Sequence, residues 1–283
     1  MTNEKYDLSI TFGDVIDFLS RHGRMLTALT VLGGLTGLCS SFIAPKQWEA
    51  RTVIQVGQIY SGTGSATQIE PSARAAERLK LAPFVDEVLR HLNLPTTPGV
   101  NVDSDIIRSS ATIEINRGAD LLELSIRGYS PEDSRRFIAA YQNQLLEIHA
   151  ALARPSIDRI RRELTDVNRA LTEEEESRQR LKKLSQQSLA DRGSKKFSAD
   201  VLLNQMAQQN ETQLQLLRLK KSTLEEQIDP QRTFNTRPLG DIAVSKLPAF
   251  PKRSVFSAGG TIFGIILALI IGLFKDFRRK LKR

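Results

Sequence analysis

Residues 246–264 read KLPAFPKRSVFSAGGTIFG and open the most apolar part of the chain. Four residues precede the uncharged stretch and are predicted to form a rigid membrane collar: Pro248, Pro251, Lys252 and Arg253. Each proline biases the residue before it toward extended backbone. Residues 254–274 then contain no charge. A helix needs about 20 mostly apolar residues to cross the hydrocarbon core, so this stretch is predicted to span a membrane.

A second uncharged segment, residues 25–44, reads MLTALTVLGGLTGLCSSFIA. It is long enough to span, although its Thr, Ser and Gly make it less apolar. A buried helix and a cleaved signal peptide are the alternatives. A signal peptide begins with a short basic leader, whereas residues 1–24 contain four acids. We therefore predict an uncleaved first span.

The charge distribution predicts the orientation of both spans. The chain of 283 residues has a net charge of +8, and its tail 275–283, KDFRRKLKR, supplies most of the excess. A basic run directly after a span is typical of a cytoplasmic end. Both termini are then inside, and residues 45–253 lie on the outer side, where Lys252 and Arg253 snorkel at the interface. The location of the charge argues against nucleic acid as a partner.

The leader 10–24, ITFGDVIDFLSRHGR, has helical apolar spacing. It predicts a short amphipathic helix on the inner membrane surface, or alternatively the first turns of a longer spanning helix. The single cysteine, Cys39, lies in the first span, so an intramolecular disulfide is excluded.

The outer region begins with strand and loop signals. Alternation in residues 47–57 predicts a strand, and residues 58–72 have loop composition. Residues 73–92 are predicted helical with a break or restart at Pro83. Residues 111–130 are predicted to form a hairpin of two strands.

A long helix is predicted from Ser130, an N-cap followed by proline and acids, up to Pro155. From residue 156 the apolar spacing becomes three, four, three, four, which indicates a heptad seam. The seam residues are Ile157, Ile160, Leu164, Val167 and Leu171. With a break around Gly193, the pattern predicts a helical hairpin with two arms of roughly 30 residues. Residues 241–248 are predicted to form a returning strand.

The predicted fold class is an α+β membrane protein with two transmembrane helices flanking an outer α/β base and a long helical hairpin. The predicted segments are a cytoplasmic leader (1–24), span one (25–44), the base (45–155), the hairpin (156–229), a return strand and collar (230–253), span two (254–274) and a cytoplasmic tail (275–283). Strands from both ends of the outer region can pair only if the spans come together. Small residues four apart are predicted to form the contact between spans: Gly33, Gly37, Gly260 and Gly264.

The sequence offers no catalytic, cofactor or metal constellation. His22, His91 and His149 are far apart, and no phosphate-binding loop or nucleophile motif occurs. The acidic run 173–176 is predicted to be a solvated helix face. We therefore expect a protein that is not an enzyme and whose function depends on assembly.

The order of parts resembles the polysaccharide co-polymerase family, the chain-length determinants of bacterial surface polysaccharides. The likeness lies in the order of several segments and not in any one of them. In chain order these are LSITFGDVIDFLSRHGR (8–24), the first span, QWEARTVIQV (47–56), ATIEI (111–115), LLELSIRGYSPEDSRRFIAAYQNQLLEIH (121–149), the heptad arms, and IAVSKLPAFPKRS (242–254) before a glycine-bearing second span. The family's proline run is abbreviated here to two prolines.

The resemblance implies a two-pass protein of the bacterial inner membrane with a large periplasmic domain, both termini in the cytoplasm, and a homo-oligomeric state. It implies a non-catalytic regulator that sets the chain length of O-antigen, lipopolysaccharide or exopolysaccharide with a membrane polymerase, on a lipid-linked polysaccharide. Some relatives have a tyrosine kinase after the last span. Here nine residues without tyrosine follow it, so a kinase is implied only as a separate partner.

Other classes are open at this level. One alternative is a membrane-anchored periplasmic scaffold or adaptor of an export complex, and another is a two-span receptor. The heptad seam is expected to make the oligomer contacts.

Overall fold

The computed structural model describes residues 12–62, 64–116, 118, 120–190 and 197–280, with side chains described within 18–187 and 201–275. The helices are α1 Phe12–Ile43, α2 Ser72–Lys80, α3 Ala82–His91, α4 Val102–Ser110, α5 Pro131–Ala190, α6 Phe197–Ile228 and α7 Arg253–Lys280. The strands are β1 Trp48–Gln55, β2 Gln58–Tyr60, β3 Ala66–Gln68, β4 Thr112–Asn116, β5 Leu121–Gly128, β6 Arg237–Pro238 and β7 Ala243–Val244.

Two compact units divide the chain. The first takes the described residues up to Glu49, a short stretch Arg127–Ser134, and the chain from Val244 onward. The second takes Ala50–Ile126 and Arg135–Ala243.

Helices α1 and α7 dominate the first unit. Both contain segments long and apolar enough to cross a membrane, Phe18–Ile43 and Arg253–Lys275. Large apolar side chains remain exposed along them, which is expected of helices that face lipid. The predicted amphipathic leader is not a separate helix, because α1 continues without a break from Phe12 into the span. An unbroken helix keeps each backbone N–H paired within the segment, as the hydrocarbon core demands.

One sheet joins strands from the two ends of the region between the spans. Its strand order is β4-β5-β1-β6, and β7 also pairs with β1. Strand β6 is antiparallel to β1, with Ile54 opposite Pro238. Strands β4 and β5 form the predicted antiparallel hairpin, with Glu114 opposite Glu123. The predicted pairing of early and late strands is therefore confirmed. Of the predicted return strand 241–248, only Ala243–Val244 is a strand, and β6 lies before it.

The segment predicted as loop, residues 58–72, contains a small antiparallel hairpin of β2 and β3, with Ile59 opposite Thr67. Polar residues such as Gln and Ser obscure the alternation in strands this short. The turn holds Gly62 at a φ of +77°, a conformation that favours glycine. The side chain of Gln227 on α6 donates to the Ser61 carbonyl beside it at 2.9 Å.

Three short helices, α2, α3 and α4, follow the β2–β3 hairpin in the chain and precede the β4–β5 hairpin. The predicted helical segment 73–92 breaks at Leu81, which has extended backbone, and Pro83 follows in the first turn of α3. Helix α4 was not predicted. Its first turn is capped by the Asn101 side chain, which accepts from the backbone N–H of Asp103 at 2.8 Å and from that of Ser104.

Helix α5 begins as predicted but does not end as predicted. The Ser130 hydroxyl accepts from the Asp133 backbone N–H at 2.9 Å, which caps the first turn. The helix then continues through Pro155 to Ala190. An interior proline removes one backbone hydrogen bond and costs about 3 kcal/mol, so burial of Ala153 and Ile160 on either side must offset it. The predicted boundary between base and hairpin therefore lies inside one helix.

Helices α5 and α6 pack along an apolar seam within the second unit. The buried members of this cluster are Ile160, Val167, Leu171, Leu214 and Leu224, and Leu164 packs against them. Of the predicted seam residues, Ile157 is outside the cluster. The others pack in one cluster with residues of α6. That the seam residues make oligomer contacts stays a prediction. The predicted break around Gly193 lies outside the described residues.

Candidate functional site

The two candidate membrane helices, α1 and α7, touch at their glycines. A Cβ atom added to Gly33 would overlap the carbonyl oxygen of Gly260, and one added to Gly260 would overlap that of Gly33. At Gly37 the obstacle is the carbonyl oxygen of Phe256. At Gly264 it is the carbonyl oxygen of Leu29, 2.5 Å away. The four predicted glycines thus lie where the backbones of α1 and α7 approach most closely, as small residues allow.

Just beyond this contact, two segments pair where the spans end. We call them the interface ladder: residues 46–49, which follow α1, and residues 245–253, which lead into α7. The Gln47 backbone N–H donates to the Phe250 carbonyl at 3.0 Å, and Ala249 donates to the Gln47 carbonyl at 2.7 Å. Ser245 donates to the Glu49 carbonyl at 2.9 Å, and its hydroxyl accepts from the Glu49 N–H at 3.0 Å.

Ring contacts reinforce the interface ladder. The guanidinium carbon of Arg253 lies 4.7 Å from the centre of the Phe42 ring, which joins the start of α7 to the end of α1. The rings of Phe250 and Phe256 meet edge to face with centres 5.7 Å apart. Of the predicted collar residues, Pro248, Lys252 and Arg253 are exposed, and Pro251 is half-buried. The structure therefore places the collar in a strand-like pairing with the chain that leaves span one.

A buried polar network lies in the second unit and was not predicted. His149 of α5 is fully buried, and Glu70 and Thr236 are nearly so. The Nε2 atom of His149 lies 3.2 Å from Oε2 of Glu70. The Nδ1 atom of His149 bonds the hydroxyl of Thr236, which also accepts from the Gly57 backbone N–H at 2.9 Å. The network links four segments that are far apart in sequence.

Arg78 completes the network from α2. Its Nε donates to Oε2 of Glu70 at 3.0 Å and its Nη2 donates to Oε1 at 2.8 Å. This bidentate pair lowers the pKa of the Glu70 carboxyl, although burial opposes the shift, and Glu70 in turn raises the pKa of Arg78. Burial lowers the pKa of His149, and its hydrogen bond with Glu70 opposes that effect.

The two hydrogen bonds that Glu70 accepts from Arg78 favour its ionised form. We therefore assign Nε2 of a neutral His149 as the donor to Glu70 and its Nδ1 as the acceptor from the Thr236 hydroxyl. The Gly57 N–H, the Thr236 hydroxyl, both imidazole nitrogens and both Glu70 carboxylate oxygens then have partners. A buried network whose polar groups have hydrogen-bond partners holds the contributing segments in fixed positions. We therefore interpret this network as a structural contact that holds together the end of β1, α2, α5 and the segment before β6. The sequence signal was only a lone histidine at a predicted helical position.

The helical hairpin has one polar break in its seam. Asn210 is buried, and its Nδ2 donates to the Glu174 backbone carbonyl at 3.0 Å and to the Glu174 carboxylate. Arg178 pairs with Glu211 across the same helices at 3.1 Å. A buried Asn at a seam position fixes the register of paired helices. The predicted solvated acidic run therefore includes one residue that positions α6.

Within the part of the chain that the structure describes, no group of three His, Cys, Asp or Glu side chains is placed to hold a metal ion. His22 and His91 are far from His149 in sequence, and neither takes part in the hydrogen bonds given above for the buried network. The contacts described above hold backbone segments and helices in position, which is what folding and assembly require.

No protein-family model matches the chain, and no curated protein matches it. Solved structures that resemble it include a bacterial polysaccharide co-polymerase and an O-antigen chain-length regulator. A full-length bacterial polysaccharide co-polymerase is 12% identical, with 94% of this chain and 98% of that chain covered and a TM-score of 0.38.

The lipopolysaccharide O-antigen chain-length regulator WzzBSF of Shigella flexneri is also similar. A point mutant of it is 10% identical over 72% of this chain and 99% of that chain, with a TM-score of 0.23. The wild type is 11% identical over 71% and 98%, with a TM-score of 0.21.

Proposed function

We propose that this chain is a non-catalytic, two-pass protein of the bacterial inner membrane that regulates the chain length of a surface polysaccharide. It acts as a homo-oligomer together with a membrane polymerase that extends a lipid-linked polysaccharide. Both termini are cytoplasmic, and the region between the spans is periplasmic.

The observation that supports this proposal most is the closure of the chain between its spans. Gln47 bridges Phe250 where the two spans end, and the glycines of α1 and α7 meet. The region between them contains a sheet built from its own two ends and the long α5–α6 hairpin. This order of parts, with its proline-bearing approach to the last span, is the one that resembles the co-polymerase family.

The proposed homo-oligomer needs a surface that remains exposed in the single chain. Helix α6 offers one, because several large apolar side chains remain exposed along it: Val201, Leu202, Met206, Leu216 and Leu219. Leu202 and Met206 are four residues apart, and Leu216 and Leu219 are three apart, so each pair shares a face. A second copy of the chain would bury these side chains.

Deletion of the gene in its host, followed by gel analysis of the polysaccharide, tests the proposed function. A changed length distribution that the intact gene restores supports it, and an unchanged distribution contradicts it. The oligomer is tested separately with Leu216→Glu and Leu219→Glu together, which should lower the mass of the purified full-length assembly. The matched control places both glutamates on α5, at the exposed polar positions Gln186 and Gln187.

A further inference from the structure

The interface ladder carries charge that the protein itself does not neutralise. Its thirteen residues contain four cations and one acid, Glu49, whose side chain is half-buried. Lys46, Lys246 and Lys252 are all exposed. No described carboxylate forms an ion pair with any of the three lysines.

The pairing of the ladder ties together the two segments that carry these lysines. Gln47 lies opposite Phe250 in an antiparallel bridge. Lys46 adjoins Gln47 in the chain, and Lys252 follows Phe250 by two residues. Lys246 follows Ser245, which bonds to Glu49 on the same two segments. The folded ladder therefore concentrates positive charge that is separate in the sequence.

Apolar side chains surround these cations on the same unit. Ile43, at the end of α1, is 86% exposed, and Leu247, next to Lys246 in the ladder, is 78% exposed. Water does not favour such exposure, whereas the boundary between lipid headgroups and acyl chains accepts apolar and cationic groups together. The lysines consequently lie at the level of the headgroup phosphates when α1 and α7 span the membrane.

We propose that the interface ladder binds the anionic, phosphate-bearing headgroup of a membrane lipid, with Lys46, Lys246 and Lys252 as the cations that hold it. Arg253 is the fourth cation, but it already lies on the Phe42 ring and sets the start of α7. The phosphate supplies the negative charge that the ladder lacks, and the acyl chains cover Ile43 and Leu247. This binding does not depend on whether the chain regulates polysaccharide length.

Tryptophan fluorescence can report on lipid binding at this site. Trp48 is the single tryptophan of the protein and lies in the ladder. Full-length protein is placed in phosphatidylcholine bilayers that contain an equal fraction of either brominated phosphatidylglycerol or brominated phosphatidylcholine. Because bromine quenches tryptophan fluorescence only at short range, the difference in quenching measures how strongly the anionic headgroup is preferred beside Trp48.

We expect the brominated phosphatidylglycerol to quench Trp48 more strongly, and we expect added salt to reduce the difference. Replacing the three lysines together, Lys46→Gln, Lys246→Gln and Lys252→Gln, should abolish the preference, at about five-fold in relative affinity for each lysine. The matched control neutralises three exposed lysines of the helical hairpin, Lys182→Gln, Lys183→Gln and Lys220→Gln, and should keep the preference. Circular dichroism of both variants shows that each is folded.

Three results would overturn the assignment. The first is equal quenching by the two brominated lipids in the wild type. The second is a preference that survives in the folded ladder variant. The third is loss of the preference when inorganic pyrophosphate is added at constant ionic strength, which would assign the lysines to soluble phosphate. None of these results bears on polysaccharide length, so failure here is distinct from failure of the proposed function.

Discussion

The Nε2 atom of His149 lies 3.2 Å from Oε2 of Glu70, although the two residues are 79 positions apart. Arg78 holds the same carboxylate by two hydrogen bonds, and the Thr236 hydroxyl bonds the other imidazole nitrogen. A histidine that is buried and neutral between a carboxylate and a hydroxyl makes stability depend on pH.

The stability of the second unit should fall as the pH falls from 7.5 to 5.5. Burial lowers the pKa of His149 in the folded state, so the unfolded chain takes up a proton near the ordinary value of 6.5 while the folded chain resists. The unfolded state is then favoured by acid. Glu70, whose pKa is also lowered, adds a further loss of stability as the pH falls below about 4.5.

Thermal unfolding of the full chain at several pH values checks this. His149→Gln should flatten the dependence between pH 7.5 and 5.5, while His91→Gln, which changes an exposed histidine on α3, should leave it intact. An equal slope in wild type and His149→Gln would contradict the prediction.

Thr236→Val should destabilise the second unit more than its size change implies. The substitution removes the acceptor for the buried Gly57 N–H and the donor to His149, at about 1–3 kcal/mol for each group left unsatisfied. Thr236→Ser keeps the hydroxyl and removes one methyl group, at about 1 kcal/mol. Denaturant unfolding measures both, and similar losses for the two variants would show that the hydroxyl contributes nothing.

Gly260→Leu should separate the two spans, because any Cβ at this position overlaps the Gly33 carbonyl. Gly259→Leu is the matched control, since no atom lies within 4 Å of a Cβ there. The readout is a disulfide between Gly34→Cys and Thr261→Cys in a Cys39→Ser background. A Cβ on Gly34 would lie 3.0 Å from the Thr261 hydroxyl oxygen, so the two positions suit a disulfide.

Oxidation should form this disulfide efficiently in the double-cysteine protein and in its Gly259→Leu variant. The yield should be several-fold lower in the Gly260→Leu variant. Cleavage of the chain between the spans before electrophoresis separates joined from unjoined fragments. Unchanged joining in Gly260→Leu would mean that the glycine contact does not set the approach of α1 and α7.

Leu214→Ala should destabilise the helical hairpin by about 2–5 kcal/mol, because Leu214 is fully buried in the α5–α6 seam and its truncation leaves a cavity. Leu184→Ala removes the same atoms from a side chain that is 50% exposed and should change stability by no more than about 0.5 kcal/mol. Denaturant unfolding of the full chain compares them, and equal effects would argue against the observed seam.

Pro248→Ala together with Pro251→Ala should leave membrane insertion intact and alter polysaccharide length in the host. Proline restricts its own backbone and that of the residue before it, so both replacements loosen the segment that pairs with Gln47. Membrane fractionation checks insertion, and gel analysis checks length. If length is unchanged at normal protein levels, the prolines are part of a plain linker.

Local patterns predicted the elements whose signals lie within a few residues. The uncharged segments appear as helices α1 and α7, the alternating segments as β1, β4 and β5, and Ser130 caps α5. Patterns failed where tertiary contacts outweigh local preference. Pro155 is tolerated inside α5 because packing on either side offsets its cost, and the short β2–β3 hairpin is too polar to show alternation.

Composition and spacing alone determined that two segments can span a membrane and that small residues recur along each of them, since hydrocarbon thickness and helical repeat act on consecutive residues. Only the tertiary structure decided which groups meet across long separations. Gly33 faces Gly260, Gln47 bridges Phe250, and a lone histidine of α5 bonds Glu70. Hydrogen bonds and close packing act over a few ångströms in space, and a linear sequence does not encode those distances explicitly.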